Sequence, residues 1–222
     1  MSNKQIVIFG DTMFSAEVKS ILQKEGGNPI AFTLDSNYIK STTFCDLPVY
    51  PYESLEQYVD IENVEILLSI GYNKMNHNRE LKYQVCKSRG FNIHTFMSNQ
   101  AMVYSDSIGE GCIIMPGAYI GPFSTIGICN VIRSGCVLSH HDRVGNFNWI
   151  ADGCTYGGDA VQGNNCFIGL GTTIRNSISI ADQTFIGAHS YVSSSTIQNG
   201  VYIGCPAKIK PDTTSHNIIT RV

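Results

Sequence analysis

The chain has 222 residues, 43% of them hydrophobic, and a formal net charge of −3. That length fits one or two domains; the charge offers no pull on nucleic acid or an anionic membrane, and no run of 18 apolar residues is present to span a bilayer. The opening MSNKQIVIFG runs straight into a strand without the apolar core of a signal peptide, so a cytoplasmic protein is expected.

Residues 4–9 read as a buried strand ending at Gly10. Phe14, Val18, Ile21 and Leu22 then share one face of a helix that stops at Gly26-Gly27. Residues 29–35 form the second strand and end in Asp35. Leu47-Pro48-Val49 is a short strand, and Ser54 caps a brief helix. Residues 65–71 are the next strand, ending in Gly71. A helix over 73–89 carries Met75, Leu81, Tyr83 and Val85, and a last strand covers 91–97. Strands alternating with helices predict a doubly wound parallel α/β domain over residues 1–100. Ligands of such sheets bind beyond the carboxyl ends of the strands, where Gly10, Asp35 and Gly71 stand. Gly10 to Ser15 lacks the second and third glycines of GxGxxG, so NAD is not expected. A nucleotide phosphate at the N-terminus of the first helix and a tight turn with no ligand both remain open.

From residue 101 to about 204 the pattern changes to a period of six. Reading every sixth residue from Ile108 to Val192, thirteen of fifteen are aliphatic; the exceptions are Tyr156 and Gln162. Neither a helix nor a plain strand has that period. The position after the aliphatic is rich in glycine, and four after it sits a small or compact polar residue. Such hexads build a short strand and a corner, and three of each close an 18-residue triangular coil with the aliphatics stacked inside. After Val192 the frame slips by one, giving Ile197 and Ile203 as the next stacking residues. The final segment, 205–222, starts with a coil-breaking proline and is polar.

Four of the eight cysteines (Cys112, Cys136, Cys154 and Cys166) fall on the small hexad position and read as small buried hydrophobes. No CxxC pair occurs, so zinc-cluster spacing is absent and no metal is expected. His140 stands two residues past Leu138, outside the stacking set, and its imidazole suits general-base work near neutral pH. One coil of 18 residues brings Gly158 beside it, with a bare backbone N–H for an oxyanion. His189 reads as structural and Trp149 as packing between subunits.

Three stretches resemble the NeuD/PglD-type sugar acyltransferases: Ile70-Gly71-Tyr72-Asn73-Lys74-Met75-Asn76 with Arg79, Ser139-His140-His141-Asp142-Arg143-Val144-Gly145, and the closing Gly204-Cys205-Pro206-Ala207-Lys208. The resemblance covers nearly the whole chain. It implies an N-terminal Rossmann-like domain followed by a left-handed parallel β-helix acting as a homotrimer. It also implies transfer of an acetyl group from acetyl-CoA to a nucleotide-linked 4-amino-4,6-dideoxy sugar. The family's catalytic histidine lies five residues before a hexad glycine, which is His140 before Gly145. The next position, an acid in the family, is His141 here, either the orienting partner or a substrate contact. By the same resemblance Gly158, Ala188, Lys208 and Lys210 meet acetyl-CoA, and Gly10, Asp35, Gly71, Asn76 and Arg79 meet the nucleotide sugar. Competing expectations are O-acetylation on the same fold, a β-helical zinc hydratase, and a scaffold that binds nucleotide sugars without catalysis.

Overall fold

The computed structural model describes residues 4–218. They form two compact units, residues 4–71 with 81–96, and residues 72–80 with 97–218. The division differs from a simple cut at residue 100, because segment 72–80 packs with the repeat. Among the described residues no helix is long and apolar enough to cross a membrane.

The first unit holds strands β1 (Gln5–Phe9), β2 (Pro29–Leu34), β3 (Thr43–Phe44), β4 (Leu47–Pro51), β5 (Val64–Leu68) and β6 (Asn92–Ile93). Their order is β3-β4-β2-β1-β5-β6, and every neighbouring pair is parallel except β3 with β4. Ile6 to Phe9 and Ile66 to Leu68 are buried without alternation, as expected of parallel strands covered on both faces. Helix α1 (Met13–Lys24) follows β1 and is opened by Thr12, whose hydroxyl accepts the Ser15 N–H. At Ser54 the backbone leaves the helical region, so the brief helix expected there is a kinked 3-10 segment, Tyr52–Gln57. The helix expected from residue 73 begins only at His77 (α2, His77–Ser88). Lys74, Met75 and Asn76 all have positive φ (54, 51 and 64°), which no right-handed helix contains.

The second unit is a stack of two-residue strands joined by corners. The register repeats every 18 residues: Ile120 lies beside Leu138, Ile126 beside Val144, and Ile132 beside Ile150. The three resulting parallel sheets fit a left-handed β-helix. The sixth-position residues from Ile114 to Val192, Gln162 included, are all buried in one continuous stack, with the partly covered Ile108 at its edge. The two non-aliphatic members explain each other. Tyr156 Oη donates to Gln162 Oε1 at 2.5 Å inside the coil, so each satisfies a polar group of the other.

The small hexad column does more than spare room. Its side chains donate to the carbonyl fifteen residues on: Ser124 to Ser139 (2.7 Å), Asn130 to Gly145 (2.8 Å), Cys136 to Ala151 (3.0 Å), Asn148 to Gly163 (2.9 Å) and Cys154 to Gly169 (3.2 Å). Asn130 and Asn148 also accept, through Oδ1, the N–H eighteen residues on, at Asn148 and Cys166. Cysteine suits the column because its S–H can donate while the rest of the side chain is apolar. Burial pushes the Cys112 and Cys166 thiols up to about 11 and about 12, and all eight cysteines are free.

The slip after Val192 is larger than the sequence pattern indicates. Ile197 and Ile203 are exposed, and the residue that stacks on Ile186 is Tyr202, 16 residues later. The chain cuts the corner there, because Ser195 Oγ accepts the Ser179 N–H and Thr196 Oγ1 accepts the Ala181 N–H.

Asn76 and Arg79, expected at the nucleotide sugar, are both fully buried inside the second unit. Arg79 donates to the carbonyls of Cys129 and Asn148 (both 3.0 Å) and to Asn76 Oδ1 (2.9 Å), while Asn76 Nδ2 donates to the Cys166 carbonyl (2.9 Å). The expectation is therefore corrected: these donors bind corner carbonyls of successive coils and hold the left-handed segment 74–76 in place. Burial lowers the Arg79 pKa to about 10, which still leaves the guanidinium charged at neutral pH. Trp149 is corrected in the same way. It packs against Tyr72 (centroids 5.0 Å apart) and is 7% exposed within one chain, rather than held for a partner subunit. Arg79→Met leaves several corner carbonyls unpaired and is expected to cost about 3–5 kcal/mol of stability, read by chemical denaturation. An unchanged midpoint would show those bonds to be idle.

Candidate functional site

The corner between Leu138 and Arg143 carries two adjacent histidines, both exposed. His141 adopts the left-handed conformation, φ 62°, that this corner demands. The turn brings its ring perpendicular to that of His140 (87°), and one Nδ1–H donates to the other Nδ1 at 3.0 Å. On its other side His141 packs against Phe123, with ring centroids 4.9 Å apart. His141 is thus the hydrogen-bond partner of His140, and the bond leaves His140 Nε2 free. The backbone of the corner is tied to the next coil, since the Asp159 N–H donates to the His140 carbonyl at 3.0 Å.

Gly158 sits directly against the His140 ring. A Cβ added at Gly158 would lie 2.6 Å from Cε1 and 2.7 Å from Nε2, so only glycine lets the imidazole rest there. Among the described residues the Gly158 N–H finds no protein acceptor. A base nitrogen and an unused backbone donor therefore lie side by side on a partly exposed surface, which is what attack on a carbonyl requires. Arg143 and Asp159 form an exposed ion pair at 2.9 Å beside them.

Asp142 is fully buried behind this corner. Its Oδ1 accepts the Ala160 N–H at 2.9 Å, and its Oδ2 has no hydrogen-bond partner. Burial raises its pKa to about 6, against backbone N–H bonds and the His140 charge that act the other way.

The other expected residues lie elsewhere. Ala188 stands at a corner between a different pair of sheets, its backbone over Gly169. Lys208 and Lys210 are exposed at the end of the coil, Lys208 in a strand antiparallel to Val201–Ile203. His189 is exposed at the same corner as Ala188, with its ring against Gly171. In the first unit, β1 lies between β2 and β5, so the connections leaving it turn to opposite sides at the carboxyl ends of β1 and β5. Gly10 occupies that point with φ 125°, and a Cβ there would strike the Ser69 carbonyl at 2.7 Å. Asp35 is ion-paired with Lys82 at 2.5 Å. Gly71 is half-buried at the end of the unit. A cavity of about 400 Å³ in the second unit, lined by Lys74, Glu80, Asn165, Gln183 and His216, belongs to a different corner from His140. Its Glu80 already accepts from Asn165 at 3.0 Å.

Sequence reasoning placed His140, His141 and Gly158 together but gave Asp142, an acid one place past the family's acid position, no role at this corner. The available signal was a charged residue in a column otherwise filled, apart from Ile178, by small, hydroxyl, thiol or amide side chains.

Fold and corner together define a hexad-coil β-helix with a histidine–glycine pair on one edge. No family model and no curated protein matches the chain. Among solved structures, it is similar to the acetyltransferase domain of PglB from Neisseria gonorrhoeae FA1090, with TM-score 0.84 and 18% identity over 94% of this chain and 100% of that one. It is also similar to PerB from Caulobacter crescentus, solved with CoA and GDP-perosamine, at TM-score 0.73 and 24% identity over 93% and 97%. WeeI from Acinetobacter baumannii AYE matches at TM-score 0.65 and 18% identity over 92% and 99%.

Proposed function

We propose that the chain is an acetyl-CoA-dependent N-acetyltransferase acting on a nucleotide-linked amino sugar, a 4-amino-4,6-dideoxyhexose. The observation that carries this reading is the contact between the His140 ring and Gly158, with the Gly158 N–H unused. Similarity to a PglB domain solved with acetyl coenzyme A and to PerB solved with CoA and GDP-perosamine supports the choice of donor and acceptor.

In this reading His140 Nδ1–H donates to His141, and Nε2 takes a proton from the sugar amine as its nitrogen attacks the thioester carbon. The Gly158 N–H holds the oxyanion while the tetrahedral intermediate lasts. The C–S bond then breaks, and the imidazolium returns the proton to the thiolate. The acetyl-CoA lies in a groove between adjacent β-helices of a cytoplasmic homotrimer, and Ala188, Lys208 and Lys210 contact it. The first unit acts as a Rossmann-like nucleotide site, with the N-terminus of α1 beside Gly10 facing a phosphate, and Asp35 and Gly71 lining the same edge.

The test is thiol release from acetyl-CoA with a panel of nucleotide-linked sugars. Release is expected with 4-amino acceptors and not with their 4-hydroxy counterparts. Release with hydroxy sugars alone would replace N-acetylation by O-acetylation, and release with none would end the acetyl-transfer reading.

A further inference from the structure

From Ser124 to Thr172 the hydrogen-bond rule of the small column has one polar exception. Side chains on either side of Asp142 in sequence, at Asn130, Cys136, Asn148 and Cys154, donate to the carbonyl fifteen residues on. Ser124, one coil earlier at the same corner, does so too, and its Oγ accepts the Asp142 N–H. Asp142 repeats the accepting half of the asparagine pattern through Oδ1 and Ala160. The donating half is missing. Asn130 and Asn148 use an amide N–H there, and in Asp142 the corresponding atom is the buried, unpartnered Oδ2. Fifteen residues on from Asp142 is Gly157, whose carbonyl receives no donor among the described residues. A carboxylate oxygen facing a carbonyl oxygen is repulsive, whereas a carboxylic acid would donate to it.

The same peptide unit contains the Gly157 carbonyl and the Gly158 N–H. We propose that Asp142, in its protonated form, donates through Oδ2 to the Gly157 carbonyl, and so aims and polarises the Gly158 N–H beside His140. It is a positioning residue, acting through a shared peptide, and its effect follows from hydrogen-bond cooperativity along that unit. The consequence for catalysis rests on the acetyl-transfer reading above; the protonation of Asp142 does not.

The groups that face Asp142 are few. His140 and Asp159 act on it from the corner, Asp159 is paired with Arg143 on the surface, and the Tyr156 phenol lies inside the coil with its pKa held well above 10 by burial. All of them are unchanged by a substitution at 142. The folded-state pKa of Asp142 lies above its ordinary value of 3.8, at about 6. Its contribution to stability is therefore complete below the ordinary value and is lost as pH rises through the folded value.

The experiment compares wild type, Asp142→Asn and Asp142→Ala. Asparagine accepts from Ala160 and donates to Gly157 at every pH, and alanine already occupies the neighbouring rung of this corner at Ala160. Between about pH 4 and about pH 8 the melting temperature of wild type is expected to fall by roughly 5 °C or more relative to Asp142→Asn. Over the same range the kcat ratio of Asp142→Asn to wild type rises roughly fivefold, the size of one hydrogen bond, with the KM for acetyl-CoA unmoved. Asp142→Ala runs about fivefold below Asp142→Asn in kcat throughout. A melting-temperature gap constant across the range overturns the neutral acid. A widening gap with a flat kcat ratio, or equal kcat for the alanine and asparagine variants, overturns the link to Gly158. Wild type that releases no thiol with any acceptor removes the acetyl-transfer reading, and the melting curves still decide whether Asp142 carries a proton.

Discussion

On the proposed acetyl-transfer reading, His140→Ala is expected to lower kcat by about 10²–10⁴-fold, the range for loss of a general base. The fold is indifferent to the change, because the His140 side chain is exposed and its one side-chain bond is to His141, itself exposed at the corner. In that reading, what is lost is the nitrogen that takes the proton from the attacking amine. The KM for acetyl-CoA moves little, since that nitrogen meets the acceptor rather than the coenzyme. Steady-state kinetics with a 4-amino nucleotide sugar, alongside a thermal melt, checks both halves. A variant that keeps more than about a tenth of wild-type kcat would take His140 out of the proton transfer.

Gly158→Ala is the second large effect and arises from contact rather than backbone strain. The φ of Gly158 lies outside the left-handed range, so alanine can adopt its backbone. The added Cβ would meet the His140 ring at 2.6 to 3.0 Å from three of its atoms, and the ring must move. An exposed imidazole can swing into solvent at small cost, so stability is expected to stay within about 1 kcal/mol. On the same reading kcat is expected to fall by about 10²–10³-fold, because the proposed base leaves its position and the methyl crowds the N–H proposed to hold the oxyanion. The two substitutions share one contact, so their effects do not add. The double variant His140→Ala with Gly158→Ala is expected to lose little more than His140→Ala alone. Full additivity in that cycle would mean that the two residues act independently.

These two residues were legible in the sequence for a simple reason. A coil of constant length turns sequence distance into spatial distance, so any residue eighteen positions from His140 must lie beside it. The same arithmetic placed the aliphatic core and the small corner column. It failed where the coil length changed. Ile197 and Ile203 keep a six-residue spacing yet are exposed, because the Ser195 and Thr196 hydroxyls take backbone N–H groups of the coil below and shorten the circuit to 16 residues. It does not reach segment 72–80, where the expectation of Asn76 and Arg79 at the nucleotide sugar rests on the family resemblance alone. They are buried because corner carbonyls of three coils, at Cys129, Asn148 and Cys166, present acceptors that those side chains satisfy.

Sequence alone determined the coil, its period, the inward stack, and the meeting of His140 with Gly158, since each follows from a local pattern repeated without interruption. Tertiary structure alone decided that His141 bonds to His140, that Tyr156 donates to Gln162 inside the coil, and that one oxygen of Asp142 is left without a donor. Those facts depend on side-chain direction and on burial, and a spacing between residues carries neither.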